Sequence, residues 1–260
     1  MTDPIVEEAL LLVDRIDPRL RGTLVGASTE ELARLDCDAG LDVPPDYLGF
    51  FERLGGNCDA IFGDIFRISV AGAIQFYHAN FLGSQPSTSS RFLFLGTVAV
   101  GEPFPQKVFL QAHEPGQFYY GEFEGPRPVV RTHGHPEEDS APFFPSLKEL
   151  IVYQTWRFHR VRAYEHVGHI EVGIEEPASI DVLLRACASV GLTDTKLTEY
   201  CLCLEGEGLS VGVHRRSAVV PERMTVIAGA LDPKKRAHLF ELLRDNLPCS
   251  RPYLGNVPCR

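Results

Sequence analysis

No stretch of this 260-residue chain approaches the run of roughly 20 apolar residues that a membrane helix needs. The N-terminus also lacks the basic and apolar regions of a secretion signal, so the protein is expected to stay in the cytoplasm. There is no cysteine framework. The seven cysteines, at 37, 58, 187, 201, 203, 249 and 259, are odd in number and irregular in spacing, which suits reduced thiols rather than a disulfide scaffold. No serine has the strand-turn-helix setting of a hydrolase nucleophile elbow, and no glycine cluster reproduces a phosphate loop. These absences remove the commonest hydrolase and nucleotide-binding signatures.

With 44% hydrophobic and 23% charged residues, the chain is a globular protein long enough for one large or two modest domains. The formal charge of −10 is unevenly shared. Residues 1–160 carry 22 acidic and 13 basic side chains, a net −9, and residues 161–260 carry 13 and 12, a net −1. An acidic field repels nucleic-acid backbones and anionic membranes and speeds encounter with a basic partner. Neither direct nucleic-acid binding nor membrane binding is expected.

The most informative stretch is 28–56. Ser28 followed by Glu31 is a capping-box pattern, in which each side chain satisfies a backbone N–H that the first helical turn leaves unpaired. Pro44 and Pro45 set the start of a second helix, on which Tyr47, Phe50, Phe51 and Leu54 fall on one apolar face. Gly55 and Gly56 are expected to end it through the left-handed conformation that glycine tolerates. Val43, Pro44, Pro45, Asp46, Tyr47, Phe50, Phe51, Gly55 and Gly56 resemble the opening motif of the SUKH superfamily of bacterial immunity and interaction domains, where a short helix precedes this motif and a sheet follows. Pro145, Ser146, Leu147, Glu149, Leu150 and Ile151 match the start of that family's closing helix in outline, so the resemblance covers about residues 28–160.

Around this stretch, residues 3–16 read as a helix with an apolar stripe. Phe66, Ile68 and Val70 alternate as a strand with one wet face, and residues 91–100 are apolar enough for a central strand. Residues 107–111 and 117–123 read as further strands, 126–132 as a weaker edge strand and 132–142 as a polar loop. Ser146 and Glu149 repeat the capping-box spacing at the head of a helix running to about residue 160. Beyond it, strand 167–174, a helix ending at Gly191, a hairpin of 197–204 and 209–214 across Glu205-Gly206-Glu207-Gly208, strand 224–229 and a helix capped by Asp232 and Pro233 suggest a second unit. The expected fold is α+β, an antiparallel sheet flanked by helices (1–164) followed by a smaller α+β unit (165–260) with helices over one sheet face.

Candidate chemistry is sparse. His133, His135, Glu137, Glu138 and Asp139 share one polar loop, which supplies no rigid metal cage and reads as solvated. Cys201 and Cys203 lie two apart on a strand, on one face; His166 and His169 would complete a zinc set, but the spacing suits small core hydrophobes better. No metal or cofactor is expected. Glu122 and Glu124 share a strand face and read as an exposed acidic face, and Tyr119 and Tyr120 beside them offer stiff contact surface of the kind interfaces use.

These readings point to a binding protein rather than an enzyme. The SUKH resemblance implies an immunity protein that binds a cognate protein toxin, such as a nuclease, and covers its active site. Asp38, Asp42, Asp59, Asp64, Tyr119, Tyr120, Glu122 and Glu124 are the expected contact pool. A regulatory scaffold is the alternative class, and a hydrolase with its site between the two units a further one.

Overall fold

The structure, a computed structural model, describes residues 4–39, 45–63, 66–81, 92–98, 106–111, 118–121, 146–173, 178–216 and 223–249. It is an α+β protein whose contacts divide it into two compact units, Met1–Ile151 and Val152–Arg260. Among the described residues, no helix is long and apolar enough to cross a membrane.

In the first unit α1 (Pro4–Ile16) buries Val6, Ala9, Leu10, Val13 and Ile16, the stripe that its spacing predicts. A 3₁₀ turn (Leu20–Thr23) leads to α2 (Thr29–Ala39) and α3 (Pro45–Leu54). The capping box forms as written in the sequence: Ser28 N–H donates to Glu31 Oε2 at 2.8 Å and Glu31 N–H donates to Ser28 Oγ at 3.2 Å. Tyr47, Phe50, Phe51 and Leu54 are all fully buried, with Phe50 and Phe51 edge to face at 5.3 Å between centroids.

The glycine pair after α3 does a different job from the one expected. Neither Gly55 nor Gly56 has a positive φ. They are small because the backbone is crowded: a Cβ on Gly55 would stand 2.6 Å from Phe51 O, and one on Gly56 2.6 Å from Gly26 O. That crowding lets residues 25–26 lie along the end of α3, with Gly56 N–H donating to Val25 O at 2.8 Å.

After α4 (Asp59–Phe62), the expected strand through Val70 is cut short. β1 is only Phe66–Ile68, and Val70 opens α5 (Val70–Phe81). Ser69 is the reason: its Oγ accepts from Gly72 N–H at 3.1 Å, an N-cap that overrides the alternation of apolar residues. β2 (Phe92–Val98), β3 (Gln106–Gln111) and β4 (Phe118–Gly121) complete an antiparallel sheet of order β1-β2-β3-β4, with a register shift between Phe94 and Gly96. The expected edge strand at 126–132 and loop at 132–142 lie outside the described residues.

Ser146 caps α6 (Leu147–Trp156), its Oγ accepting from Glu149 N–H at 3.1 Å. The helix does not run on as an α-helix to residue 160. It widens into a π-helical turn (Arg157–Val161), closed by Arg162 N–H donating to Arg157 O at 2.9 Å. The two units divide inside α6, earlier than the expected boundary near Tyr164, because Tyr153, Trp156 and Val161 already seat on the second sheet.

That sheet holds β5 (His166–Gly173), β6 (Thr193–Asp194), β7 (Leu202–Gly206), β8 (Leu209–Arg216) and β9 (Arg223–Ala230), all antiparallel in the order β5-β9-β8-β7-β6. The hairpin turns through Glu207 and Gly208, whose φ of +69° needs glycine. Between β5 and β6, α7 (Ala178–Ser189) ends at Gly191 (φ +80°), where Leu192 N–H reaches back to Cys187 O at 3.0 Å. α8 (Pro233–Asn246) is capped by Asp232, which accepts from Lys234 N–H at 2.8 Å. Leu183, Cys187, Leu239, Phe240 and Leu243 of α7 and α8 pack on Ile170, Val172, Leu204, Val211, Val213, Val226 and Ala228. Helical structure covers the other face as well, which the sequence reading did not anticipate: the end of α6 and the π-helical turn lie on it.

Candidate functional site

Five basic side chains of the first unit are paired with acids among the described residues. Arg21 pairs with Asp14 at 2.8 Å and Glu7 at 3.3 Å, Arg19 with Asp17 at 2.7 Å, Lys148 with Glu8 at 2.6 Å, and Arg34 with Asp38 at 3.5 Å. Arg53 of α3 also reaches Glu7, tying α3 to α1. Divided where the structure divides it, the chain has 22 acidic and 11 basic side chains in residues 1–151, a net −11, and 13 and 14 in residues 152–260, a net +1. The charge segregation is thus sharper than the sequence division suggested, because Arg157 and Arg160 belong to the second unit. The surplus acids include Glu30 and Asp36 on the outside of α2, Glu52 on α3 and Asp59 at the head of α4, all exposed.

Of the expected contact residues, Asp38 stands near the end of α2, largely shielded and beside Arg34, while Asp59 opens α4 with its N–H donating to Asn57 Oδ1 at 3.0 Å. Tyr119 and Tyr120 lie on β4 opposite Phe109 and Val108 of β3. Asp42, Asp64, Glu122 and Glu124 lie outside the described residues, as do His133, His135, Glu137, Glu138 and Asp139. Glu30, Asp36 and Glu52, exposed as well, are not among the contacts expected from the sequence. The signal for them was present, since each falls off the apolar stripe of its helix.

Glu31 is held below the usual carboxylate range, first by the backbone N–H of Ser28 and then by its hydroxyl, so the cap is charged at neutral pH.

The second unit carries a polar surface of a different kind, beneath the end of α6. Strand register places His214, Thr225 and Glu171 in one cross-strand row, Gly212, Ile227 and His169 in the next, and Ser210, Gly229 and Val167 in a third. Two of these glycines are seats for the helix. A Cβ on Gly229 would stand 1.8 Å from Val161 O, and one on Gly212 3.2 Å from the Tyr153 ring. Tyr153 lies over His214, with ring centroids 5.5 Å apart, and Trp156 Nε1–H donates to Val211 O at 3.0 Å.

The titratable groups of this face include Arg157, His169, His214 and Glu171. Thr225 Oγ1–H donates to Glu171 Oε1 at 2.8 Å. Burial pushes the Tyr153 hydroxyl well above its ordinary range, so it stays a neutral phenol. Burial pushes His169 down, with Glu171 opposing and Arg157 adding to the shift, and it pushes Arg157 down with Tyr153 opposing. Cys201 and Cys203 are buried on the same side, with Cys203 opposite Gly212 and its sulfur 3.7 Å from Thr198 Oγ1. Among the described residues, no group of three or more His, Cys, Asp or Glu side chains is placed to hold a metal ion. The sequence signal for this face was the run Ser210-Val211-Gly212-Val213-His214, whose small and polar positions alternate with valine.

Comparison with protein-family profiles, with curated proteins and with solved structures gives no match to this chain.

Proposed function

We propose that this chain is an immunity-type binding protein of the cytoplasm that neutralises a cognate protein toxin by covering its active site with the acidic surface of the first unit. It acts by binding and not by catalysis. The observation that carries this reading is the charge segregation: the first unit is net −11 and the described lysine and arginine partners of its acids are already paired, whereas the second unit is net +1. Carboxylates presented on a rigid helical frame occupy positions where a nuclease or similar toxin receives phosphates, which raises the association rate and adds specificity. The order of helices followed by an antiparallel sheet in the first unit is the order that the SUKH resemblance implies. The expected contacts are Asp38 and Asp59 together with the exposed Glu30, Asp36 and Glu52, and Tyr119 and Tyr120 of β4 belong to the same expected pool.

The test is protection of cells that express a toxin encoded beside this gene, followed by association kinetics of the purified pair. Neutralising Glu30, Asp36, Glu52 and Asp59 together should slow association and flatten its salt dependence, because rim charges act mainly through encounter. Neutralising Glu175 and Glu176 should do neither. Equal effects of the two sets, or no protection by the full chain, would overturn the reading.

A further inference from the structure

We propose that Val25 is the apolar anchor of the partner surface on the first unit, closing into a hollow of the toxin whose rim is basic. The inference deepens the immunity reading and rests on it. One exposed valine needs no explanation by itself. The construction beneath this one does.

Val25 is 54% exposed, although valine is a residue of protein interiors. It lies between the 3₁₀ turn and α2, outside any helix. Its N–H donates to Asn57 O at 3.0 Å, and its carbonyl accepts from both Gly56 N–H and Asn57 N–H at 2.8 Å. Two residues on, Ala27 N–H donates to Phe51 O at 2.9 Å, so the backbone of residues 25–27 is clamped to the end of α3. Glycine is needed at two points of that clamp. A Cβ on Gly26 would stand 1.8 Å from Glu52 O, and one on Gly56 would stand 2.6 Å from Gly26 O and 3.0 Å from Val25 Cγ1. The result is an apolar side chain that is held in place and left in water. Folding gains little from such a group, whereas binding gains from one already fixed, because little ordering entropy is lost when a partner closes over it.

What closes over it follows from the charge around it. Asn57, the bridge partner of Val25, accepts from Asp59 N–H at 3.0 Å through its side chain, and Glu52 supplies the carbonyl against which Gly26 rests. Asp59 and Glu52 therefore adjoin the corner that carries Val25, and the first turn of α2, just beyond it, adds Glu30. All three acids are exposed. Arg21 and Arg53, the arginines nearest in sequence, are turned to Asp14 and Glu7. An apolar centre bordered by carboxylates fits a protein surface on which lysine or arginine surrounds an apolar hollow. Nucleic acid and anionic membranes do not fit, because the same carboxylates repel them.

The purified full chain is tested against the protein toxin encoded beside its gene, with association and dissociation rates read separately. Val25→Ser should raise the dissociation rate about tenfold or more, the range expected for one buried valine, while the association rate and its salt dependence stay within about twofold. Leu231→Ser, at an exposed apolar residue of the second unit, should change neither rate. Val25→Thr keeps the branched shape and should act in the same direction; it takes the place of Val25→Ser should that variant lose its folded circular-dichroism spectrum. An unchanged dissociation rate in the Val25 variants, or an equal rise for Leu231→Ser, overturns the anchor. The anchor and the acidic surface fail separately. If neutralising Glu30, Asp36, Glu52 and Asp59 slows association while the Val25 variants dissociate like the unsubstituted protein, the surface stands and the anchor falls; if the full chain forms no complex, both fall.

Discussion

Trp156 Nε1–H donates to the carbonyl of Val211 at 3.0 Å, joining the end of α6 to the middle of β8 across 55 residues of sequence. The indole is 2% exposed, so this bond is made away from water. Trp156→Phe keeps an aromatic ring but removes the donor, and it should destabilise the protein by about 1–3 kcal/mol. Denaturant unfolding followed by circular dichroism measures this. An unchanged midpoint would mean that the indole contributes area and no net hydrogen-bond energy.

Phe50 is completely buried on α3, touching Phe51 at 5.3 Å and Phe62 at 6.4 Å between ring centroids. Phe50→Ala should cost about 3–5 kcal/mol, because the surrounding rings relax only partly into the space left behind. A melting curve that does not move would contradict the packing of α3 against α4.

Gly229 and Gly212 sit under the same helix and should respond differently to alanine. The methyl of Gly229→Ala would meet Val161 O at 1.8 Å, which backbone must relieve, whereas that of Gly212→Ala would meet the edge of the Tyr153 ring at 3.2 Å. The first should cost about 3 kcal/mol or more and shift Trp156 emission to the red; the second should cost about 1 kcal/mol or less. Thermal melts and emission spectra of the two variants decide it, and equal effects would show that Val161 O does not rest on Gly229.

The capping carboxylate of α2 makes stability depend on pH in a fixed direction. The folded-state pKa of Glu31 is lowered, so the stabilisation is present above its unfolded value near 4.5 and is lost as pH falls through the lower, folded value. Glu31→Gln should remove that part of the acid dependence while leaving the curve above it parallel to the unsubstituted protein. Stability measured from pH 6 to pH 3 that falls identically in both would rule the cap out as a contributor.

Much of the fold was legible because its signals are local. Ser28 with Glu31, Ser146 with Glu149, Asp232 with Pro233 and the positive-φ glycines 191 and 208 act over at most five residues, and each did in three dimensions what its spacing implies. The apolar face of Tyr47, Phe50, Phe51 and Leu54 was equally plain, because helical period alone puts those side chains together. Where two local signals competed, the pattern misled: Val70 extends the alternation of β1, yet Ser69 caps α5 just before it, and the hydrogen bond decided.

The sites were another matter. Which arginine is paired, which glycine seats a carbonyl, and which alternate face of β8 meets a helix depend on residues brought together from positions as distant as 161 and 229. Composition revealed that the chain is acidic at its front. Only tertiary structure decided that Arg157 and Arg160 fall in the second unit and that Arg160 pairs with Glu205 there, because charge pairing is settled by distances that no spacing within the chain encodes.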